Sequence, residues 1–134
     1  MAGTITESHV KRGPIGVVTL ACTADAAAAT FPATILTTKI SGKLLALETD
    51  PGATAPTNLY DITVTDAEGY DVLEGVGANR SSANTEKANI IFSGTSVNPP
   101  VGKGDVLTVN IANNSVNAAL ITIKLYYEGE GGSG

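Results

Sequence analysis

The feature that most constrains this chain is a strict alternation of apolar and polar residues in three segments. Every second residue is apolar in Leu59–Thr65, and the same period recurs in Leu107–Ile111 and in Ile121–Tyr127. A period of two places successive side chains on opposite faces of a β-strand, so each segment has one buried face and one solvated face. The residues predicted to face inward are Ile62, Val64, Leu107, Val109, Ile121, Ile123 and Leu125.

Less regular apolar runs add further candidate strands, and turn-forming residues separate them. These runs are Gly16–Thr23, Ile35–Ile40, Lys43–Thr49 and Ala88–Phe92, whereas Ala24–Thr30 is long enough only for a single helical turn. About eight short strands with turns between them are typical of an all-β protein. The sequence therefore predicts a single β-sandwich that is jelly-roll-like. The turn formers expected between strands include Ser41–Gly42, Asp50–Pro51–Gly52, Glu68–Gly69 and Asn113–Asn114.

The chain divides into three parts by pattern. Residues 1–13 form an N-terminal arm or an edge strand, with Thr4–Val10 as a weak strand candidate. Residues 14–128 form the β-sandwich domain, and residues 129–134 (GEGGSG) are expected to be a flexible tail outside the fold. Because all alternating strands lie after Gly13, we expect the fold to survive loss of the arm.

Composition and charge argue against several classes of function. The net charge is −5 and the basic residues are scattered, whereas a nucleic-acid partner requires a basic stripe. No apolar run of about 18 residues predicts a membrane span, and residues 1–13 lack the pattern of a signal peptide. The single cysteine, Cys22, permits no internal disulfide, which fits synthesis in a reducing cytoplasm.

Few residues suggest catalysis or metal binding. Asp66, Glu68 and Asp71 surround Gly69 and resemble an oxygen cluster for a hard cation, but they lack the spacing of a calcium loop. A solvated hairpin turn is the favoured interpretation, and the sequence leaves a bound cation open. His9 and Cys22 form no recognisable nucleophile–base pair, since a mid-strand cysteine is usually structural. We therefore expect no enzyme activity, no catalytic residue, no cofactor and no metal site.

Two polar segments are candidates for contact with a partner. The loop Glu74–Lys87 is rich in Asn and Ser and contains an isolated Arg80, and loops of this length are usually functional or mobile. The arm is able to add as a strand to a neighbouring sheet, or it pairs within its own fold. The predicted partner-binding residues are Thr4, Ile5, Thr6, Lys11, Arg12, Asn79, Arg80 and Asn84.

One long segment resembles a known family. The stretch TDPGATAPTNLYDITVTDAEGYDVLEGVGANRSSANTE, flanked by GPIGVVTLACTADAAAAT and ITIKLYY, resembles the small head decoration, or cement, proteins of tailed bacteriophages. The resemblance covers most of residues 13–127. It lies in similar short sequence segments that follow one another in the same order, and not in an active-site signature. It implies an all-β protein that sits on the capsid lattice as a dimer or trimer and carries no catalytic residues.

The resemblance implies a structural virion protein that decorates and stabilises the bacteriophage capsid by bridging neighbouring major capsid proteins. Its implied partners are the major capsid protein and itself, as a homotrimer or homodimer, with no nucleic acid and no membrane. Its implied location is the outer surface of the capsid, after synthesis in the bacterial host cytoplasm. The alternatives are a tail or head-fibre component of the virion, or a β-sandwich carbohydrate-binding module. The lattice position and the host stay open.

Overall fold

A computed structural model of the chain describes residues 3–73, 75–90, 101–103 and 106–133. These residues form nine β-strands and no α-helix, so the predicted all-β class is confirmed. The strands are β1 (Thr4–Arg12), β2 (Ile15–Thr23), β3 (Thr34–Ile35), β4 (Thr38–Pro51), β5 (Asp61–Thr65), β6 (Glu86–Asn89), β7 (Val101–Lys103), β8 (Thr108–Ala112) and β9 (Leu120–Ser133).

The strands form two antiparallel sheets. The larger sheet has the order β1-β2-β9-β4-β6, with β7 also paired to β4, and the smaller sheet has the order β3-β8-β5. Strand β9 lies between β2 and β4, so a strand from the end of the chain joins two strands from its beginning. This non-local pairing follows from the buried face that β9 shares with both neighbours.

Both sheets contribute side chains to one hydrophobic core. All seven residues predicted to face inward are at most 3% exposed, which confirms the register inferred from the two-residue period. Buried residues of β2 and β4 belong to the same cluster. A shared core between two sheets is compatible with the predicted β-sandwich, and the sandwich and its jelly-roll-like arrangement both stay predictions.

Residues 4–12 are an edge strand of the larger sheet. All nine residues of β1 pair with β2, and the turn between the strands is Gly13–Pro14. Gly13 has a φ of 58°, a conformation that glycine adopts without steric cost. Ile5 packs against the core. Loss of this segment would uncover β2 and part of the core, so the survival of the fold without it stays a prediction.

Three predicted boundaries are wrong. The turn expected at Asp50–Pro51–Gly52 begins too early, because Asp50 and Pro51 still belong to β4 and pair with β9. Ser41–Gly42 is not a turn but lies inside β4, and residues 129–133 are not a tail but the end of β9, paired with β4. The reason is a close crossing of two glycines. Gly42 lies opposite Gly129, and a Cβ atom on Gly42 would lie only 2.2 Å from the carbonyl oxygen of Glu128. Glycine here permits close strand pairing and does not end the strand.

The remaining local predictions concern turns. The side chain of Asp25 accepts hydrogen bonds from the backbone N–H groups of Ala27 and Ala28 at 2.7 and 2.8 Å, which makes residues 25–29 the single turn that the alanine run predicted.

The strand expected over Ala88–Phe92 is seen as β6, Glu86–Asn89. Residues 91 and 92 lie outside the described residues.

Candidate docking surface

The outer face of the larger sheet carries small, uncharged side chains on much of β1 and β2 and at Thr122 of β9. Directly opposed residues of antiparallel strands project to the same face, and the register places Thr6 opposite Ala21 and Ala21 opposite Thr122. The neighbouring rows are Ser8, Thr19 and Lys124 on one side and Thr4, Thr23 and Leu120 on the other. Their members are exposed or half-buried, and on β9 a charged and an apolar residue border Thr122. We define the hydroxyl-rich face as Thr4, Thr6, Ser8, Thr19, Ala21, Thr23 and Thr122.

One border of the hydroxyl-rich face is polar and aromatic. The hydroxyl of Tyr126 donates a hydrogen bond to Oε1 of Glu48 at 2.9 Å, and the ammonium group of Lys87 lies 4.1 Å from the centre of the Tyr126 ring. Burial raises the pKa of Tyr126, and its bond to Glu48 adds to that effect. Tyr126 is thus a neutral donor at ordinary pH. Lys124, two residues earlier on the same face of β9, lies opposite Thr19 of β2 and Glu48 of β4, so this border also carries charge.

The opposite face of β1 anchors this strand to the fold. The carboxylate of Glu7 accepts hydrogen bonds from the backbone N–H groups of Thr37 and Thr38 at 2.7 and 2.9 Å, and from the Thr38 hydroxyl at 2.5 Å. His9 is hydrogen-bonded through Nε2 to the hydroxyl of Tyr127, and their rings are stacked at 5.8 Å between centroids. These contacts hold β1 in one register, so its outward side chains have fixed positions.

The Glu7 contacts predict an acid-dependent loss of stability. Partial burial raises the pKa of Glu7, but the hydrogen bonds from Thr38 and Thr37 outweigh it and hold the pKa below its ordinary value of 4.5. A group with a lowered folded pKa stabilises the protein above its unfolded pKa, and this contribution is lost as pH falls through the folded value. We expect urea midpoints to fall below about pH 4.5 in the wild type.

The Glu7→Gln variant is expected to show a shallower decline over the same pH range. Glu128→Gln, at an exposed position of β9, is the matched control and should keep the wild-type slope. An unchanged slope in Glu7→Gln would refute the contribution of these hydrogen bonds.

The two sets of predicted partner-binding residues do not form one site. Those of the arm lie on β1 at one edge of the larger sheet, whereas the loop leads into β6 at the other edge. Thr4, Thr6 and Arg12 are exposed, but Ile5 packs against the core. Lys11 is exposed, and its ammonium group donates a hydrogen bond to the carbonyl of Gly13 at 2.7 Å.

Arg80 is held within the fold. Its guanidinium lies 3.6 Å from Oε1 of Glu86, with 16% of the side chain exposed, and its Nε donates to the carbonyl of Ala78 at 3.2 Å. Its backbone also bridges to Tyr60, which extends the pairing beyond β5. Arg80 thus fastens the loop between the two sheets, a role that its isolation in the sequence did not reveal.

The asparagines of the loop remain at the surface. Asn79 is exposed, with a φ of 55°, and its backbone N–H donates to Asp61 Oδ1 at 2.8 Å. Asn84 is also exposed, and its N–H donates to the hydroxyl of Ser81 at 3.0 Å. The Ser81 hydroxyl also accepts the N–H of Ala83 at 3.1 Å, so Ser81 organises this turn.

The cysteine and the histidine lie on neighbouring strands but are not opposed. Cys22 pairs with Ile5, whereas His9 pairs with Val18, which separates them by about 14 Å along the sheet. Burial raises the pKa of the Cys22 thiol to about 12, so the thiolate nucleophile is scarce at neutral pH. The buried hydroxyl of Tyr60 likewise has its pKa raised to about 12 by burial, with a smaller opposing effect from Thr49.

The acidic turn uses its carboxylates to hold the backbone. Asp66 Oδ1 accepts the N–H groups of Glu68 and Tyr70 at 3.0 Å, and Asp71 Oδ1 accepts that of Leu73 at 3.1 Å. Gly69 has a φ of 85°, as the hairpin-turn interpretation predicts. Over the described ranges, no group of three or more histidine, cysteine or acidic side chains is placed to hold a metal ion.

Sequence reasoning missed the hydroxyl-rich face as a unit. Each strand alone shows an ordinary solvated face, and only the order β1-β2-β9 makes the three faces continuous. The available signal was the repeated Thr and Ser at alternate positions of residues 4–8 and 19–23. That pattern is common on the solvent-exposed faces of strands, so it indicates a site only when the pairing of β1, β2 and β9 is known.

Known proteins offer no guide to this surface. No family model matches the chain, and neither the curated proteins nor the solved structures gave a significant match. Within the part of the chain that the structure describes, no helix is long and apolar enough to cross a membrane.

Proposed function

We propose that this protein decorates and stabilises a bacteriophage capsid by bridging neighbouring major capsid proteins, with self-association as part of that role. The observation that carries the proposal is the hydroxyl-rich face, which spans β1, β2 and β9. The resemblance of residues 49–86 to phage head decoration proteins gives this face its partner.

The face suits repeated, modest contacts. Small hydroxyl and methyl groups lose less hydration than charged groups when a partner covers them, and their hydroxyls can donate to or accept from backbone groups of that partner. A contact of ordinary size on two capsid subunits gives moderate affinity. Many copies acting on one shell then raise the total stabilisation without a strong single contact.

The aromatic residues do not favour the carbohydrate-binding alternative. Such a site stacks exposed rings against a sugar, but Phe31, Tyr60 and Tyr127 are buried. Tyr126 is only half-exposed, with Lys87 over its ring. Tyr70 is 51% exposed but lies in the acidic turn, away from the hydroxyl-rich face in the sheet order.

A charge placed in the middle of the hydroxyl-rich face tests the proposal. We expect Ala21→Glu to lower co-sedimentation with capsids stripped of the native protein at least about tenfold, which corresponds to a loss of ~1.4 kcal/mol. The position is exposed and lies between Thr6 and Thr122, so the fold should be kept. The matched control is Thr63→Glu, at an exposed position of the smaller sheet.

Wild-type retention of the Ala21→Glu variant, or equal loss with Thr63→Glu, would contradict docking through this face. Copy number separates the capsid from the fibre alternative. Mass spectrometry of purified virions should give this chain in amounts comparable to the major capsid protein, whereas a tail or fibre component would be far scarcer. Circular dichroism of each variant checks that the fold is unchanged.

A further inference from the structure

Among the residues that the structure describes, two buried hydroxyl groups have no hydrogen-bond partner. They are Oγ1 of Thr49 and the phenol hydroxyl of Tyr60, and both residues are 0% exposed. Buried polar groups in folded proteins are nearly always paired with another protein group or with an ordered water molecule. An unpaired buried hydroxyl loses its hydration without compensation, so both groups require a partner inside the fold.

The two hydroxyls come from different sheets. Thr49 lies on β4 of the larger sheet, between Ile123 of β9 and Glu86 of β6. Directly opposed residues project to the same face, and Ile123 is part of the core, so the side chain of Thr49 points into the core. Tyr60 precedes β5 of the smaller sheet and belongs to the same core.

A series of contacts holds Thr49 and Tyr60 near each other. Glu86 is the strand partner of Thr49, and its Oε1 lies 3.6 Å from the guanidinium of Arg80. The backbone N–H of Arg80 donates a hydrogen bond to the carbonyl of Tyr60 at 2.8 Å. The ion pair between Arg80 and Glu86 therefore connects the backbone of Tyr60 to the strand that pairs with Thr49.

The two hydroxyls lie close together but do not bond directly. Burial raises the pKa of Tyr60 to about 12, and a favourable interaction with the Thr49 side chain opposes this effect. That interaction acts only at short range, yet the two hydroxyls do not meet the geometry of a direct hydrogen bond. Each hydroxyl both donates and accepts, so a small molecule that also does both can satisfy the pair.

We propose that one water molecule binds inside the core between Thr49 Oγ1 and the Tyr60 hydroxyl, and that it links β4 of the larger sheet to the residue before β5 of the smaller one. An internal water makes about two to four hydrogen bonds to buried polar groups, and Thr49 and Tyr60 supply two. The site lies in the core, so the inference is independent of the proposed function.

The surroundings favour a neutral ligand over an ion. Both hydroxyls are uncharged, because the raised pKa keeps the Tyr60 phenol protonated at ordinary pH. The charged side chains that act on Tyr60 include Arg80 and Glu86, which already form an ion pair with each other. A bound ion would thus lack a counter-charge, whereas water needs only donors and acceptors.

The water also gives a physical reason for two polar residues at core positions. Valine has nearly the shape of Thr49, and phenylalanine has nearly the shape of Tyr60, without a hydroxyl to satisfy. In a dry core these apolar residues would be the more stable choice. With a bridging water, the two hydroxyls instead form a polar connection between the two sheets.

A high-resolution crystal structure of the wild-type protein tests the site directly. We expect one ordered water whose oxygen lies about 2.7–3.0 Å from both Thr49 Oγ1 and the Tyr60 hydroxyl oxygen. A direct hydrogen bond between Thr49 and Tyr60, or a core without a water that contacts both, would overturn the proposal. The double variant Thr49→Val/Tyr60→Phe should lack this water, and its retention there would show that other groups hold it.

Urea denaturation of the same variants supplies the measurement in solution. Thr49→Val and Tyr60→Phe each remove one anchor of the water, so each should lower the folding equilibrium constant about three- to tenfold. The double variant should lose less than the two single losses combined, because no hydroxyl is then left without its partner. Additive losses would contradict a shared water.

Thr63→Val is the matched control. Thr63 is exposed on β5, where solvent already bonds its hydroxyl, so this substitution should change the folding equilibrium constant by no more than about twofold. If Thr49→Val and Tyr60→Phe each raise the stability, the two hydroxyls are unpaired in a dry core and the proposal is wrong. A direct bond would give the same coupling as a water, and the crystal structure distinguishes the two.

Discussion

Replacing Ile123 by alanine is expected to lower the free energy of unfolding by about 2–5 kcal/mol. Ile123 is 1% exposed and lies in β9, opposite Leu20 of β2 and Thr49 of β4. Its truncation removes buried methyl and methylene groups and leaves a cavity where neighbouring strands on both sides are fixed by pairing. Urea denaturation, with an unchanged dependence on denaturant, would measure the loss.

Thr122→Ala is the matched control for this prediction. Thr122 is the preceding residue of β9 and is half-buried on the outer face, so its truncation should change stability by no more than about 0.5 kcal/mol. Equal effects of the two substitutions would show that β9 is displaced by one residue, since such a shift exchanges its two faces.

Gly16→Ala is expected to destabilise the protein by about 1–3 kcal/mol through overpacking. A Cβ atom on Gly16 would lie 2.1 Å from the ring of Tyr127. Tyr127 is 0% exposed, and its ring stacks on His9, so it cannot move aside without losing contacts. Glycine is required here because an aromatic ring occupies the place of its side chain.

A double-mutant cycle isolates this contact. In a Tyr127→Leu background, Gly16→Ala should cost much less than in the wild type, because the clashing ring atoms are gone. Gly69→Ala is a comparison in which the cost comes from backbone conformation and not from a clash. No other atom lies within 4 Å of the added Cβ, whereas the φ of Gly69 is 85°. If Gly16→Ala lowers the free energy of unfolding equally in both backgrounds, the loss is due to the backbone of β2 and not to a clash with the Tyr127 ring.

Local pattern was sufficient for the strands of the core. The alternation in Leu59–Thr65 and Ile121–Tyr127 predicted which face is buried, because in a half-buried strand each inward residue must be apolar and each outward residue can be polar. Turn chemistry was equally local at Gly69 and Asp25, where a backbone conformation or a side-chain acceptor acts within a few residues. These features depend on neighbours in sequence, so the sequence contains the information.

Glycine in a strand was misleading for the opposite reason. Ser41–Gly42 has the composition of a turn, but β4 continues through it because Gly42 lies against Gly129 of β9. The same crossing draws residues 129–133 into the sheet. The need for glycine arises from a partner 87 positions away in the chain, and no local window contains that partner.

The candidate site was decided by tertiary structure in the same way. By itself the sequence determined the all-β class, the buried faces and the polar character of the N-terminal segment. Only the pairing of β1, β2 and β9 made three ordinary wet faces into one surface, and only the folded loop engaged Arg80 with Glu86. The physical reason is that a two-residue period specifies which way a side chain points, whereas the strand that lies beside it is chosen by long-range packing.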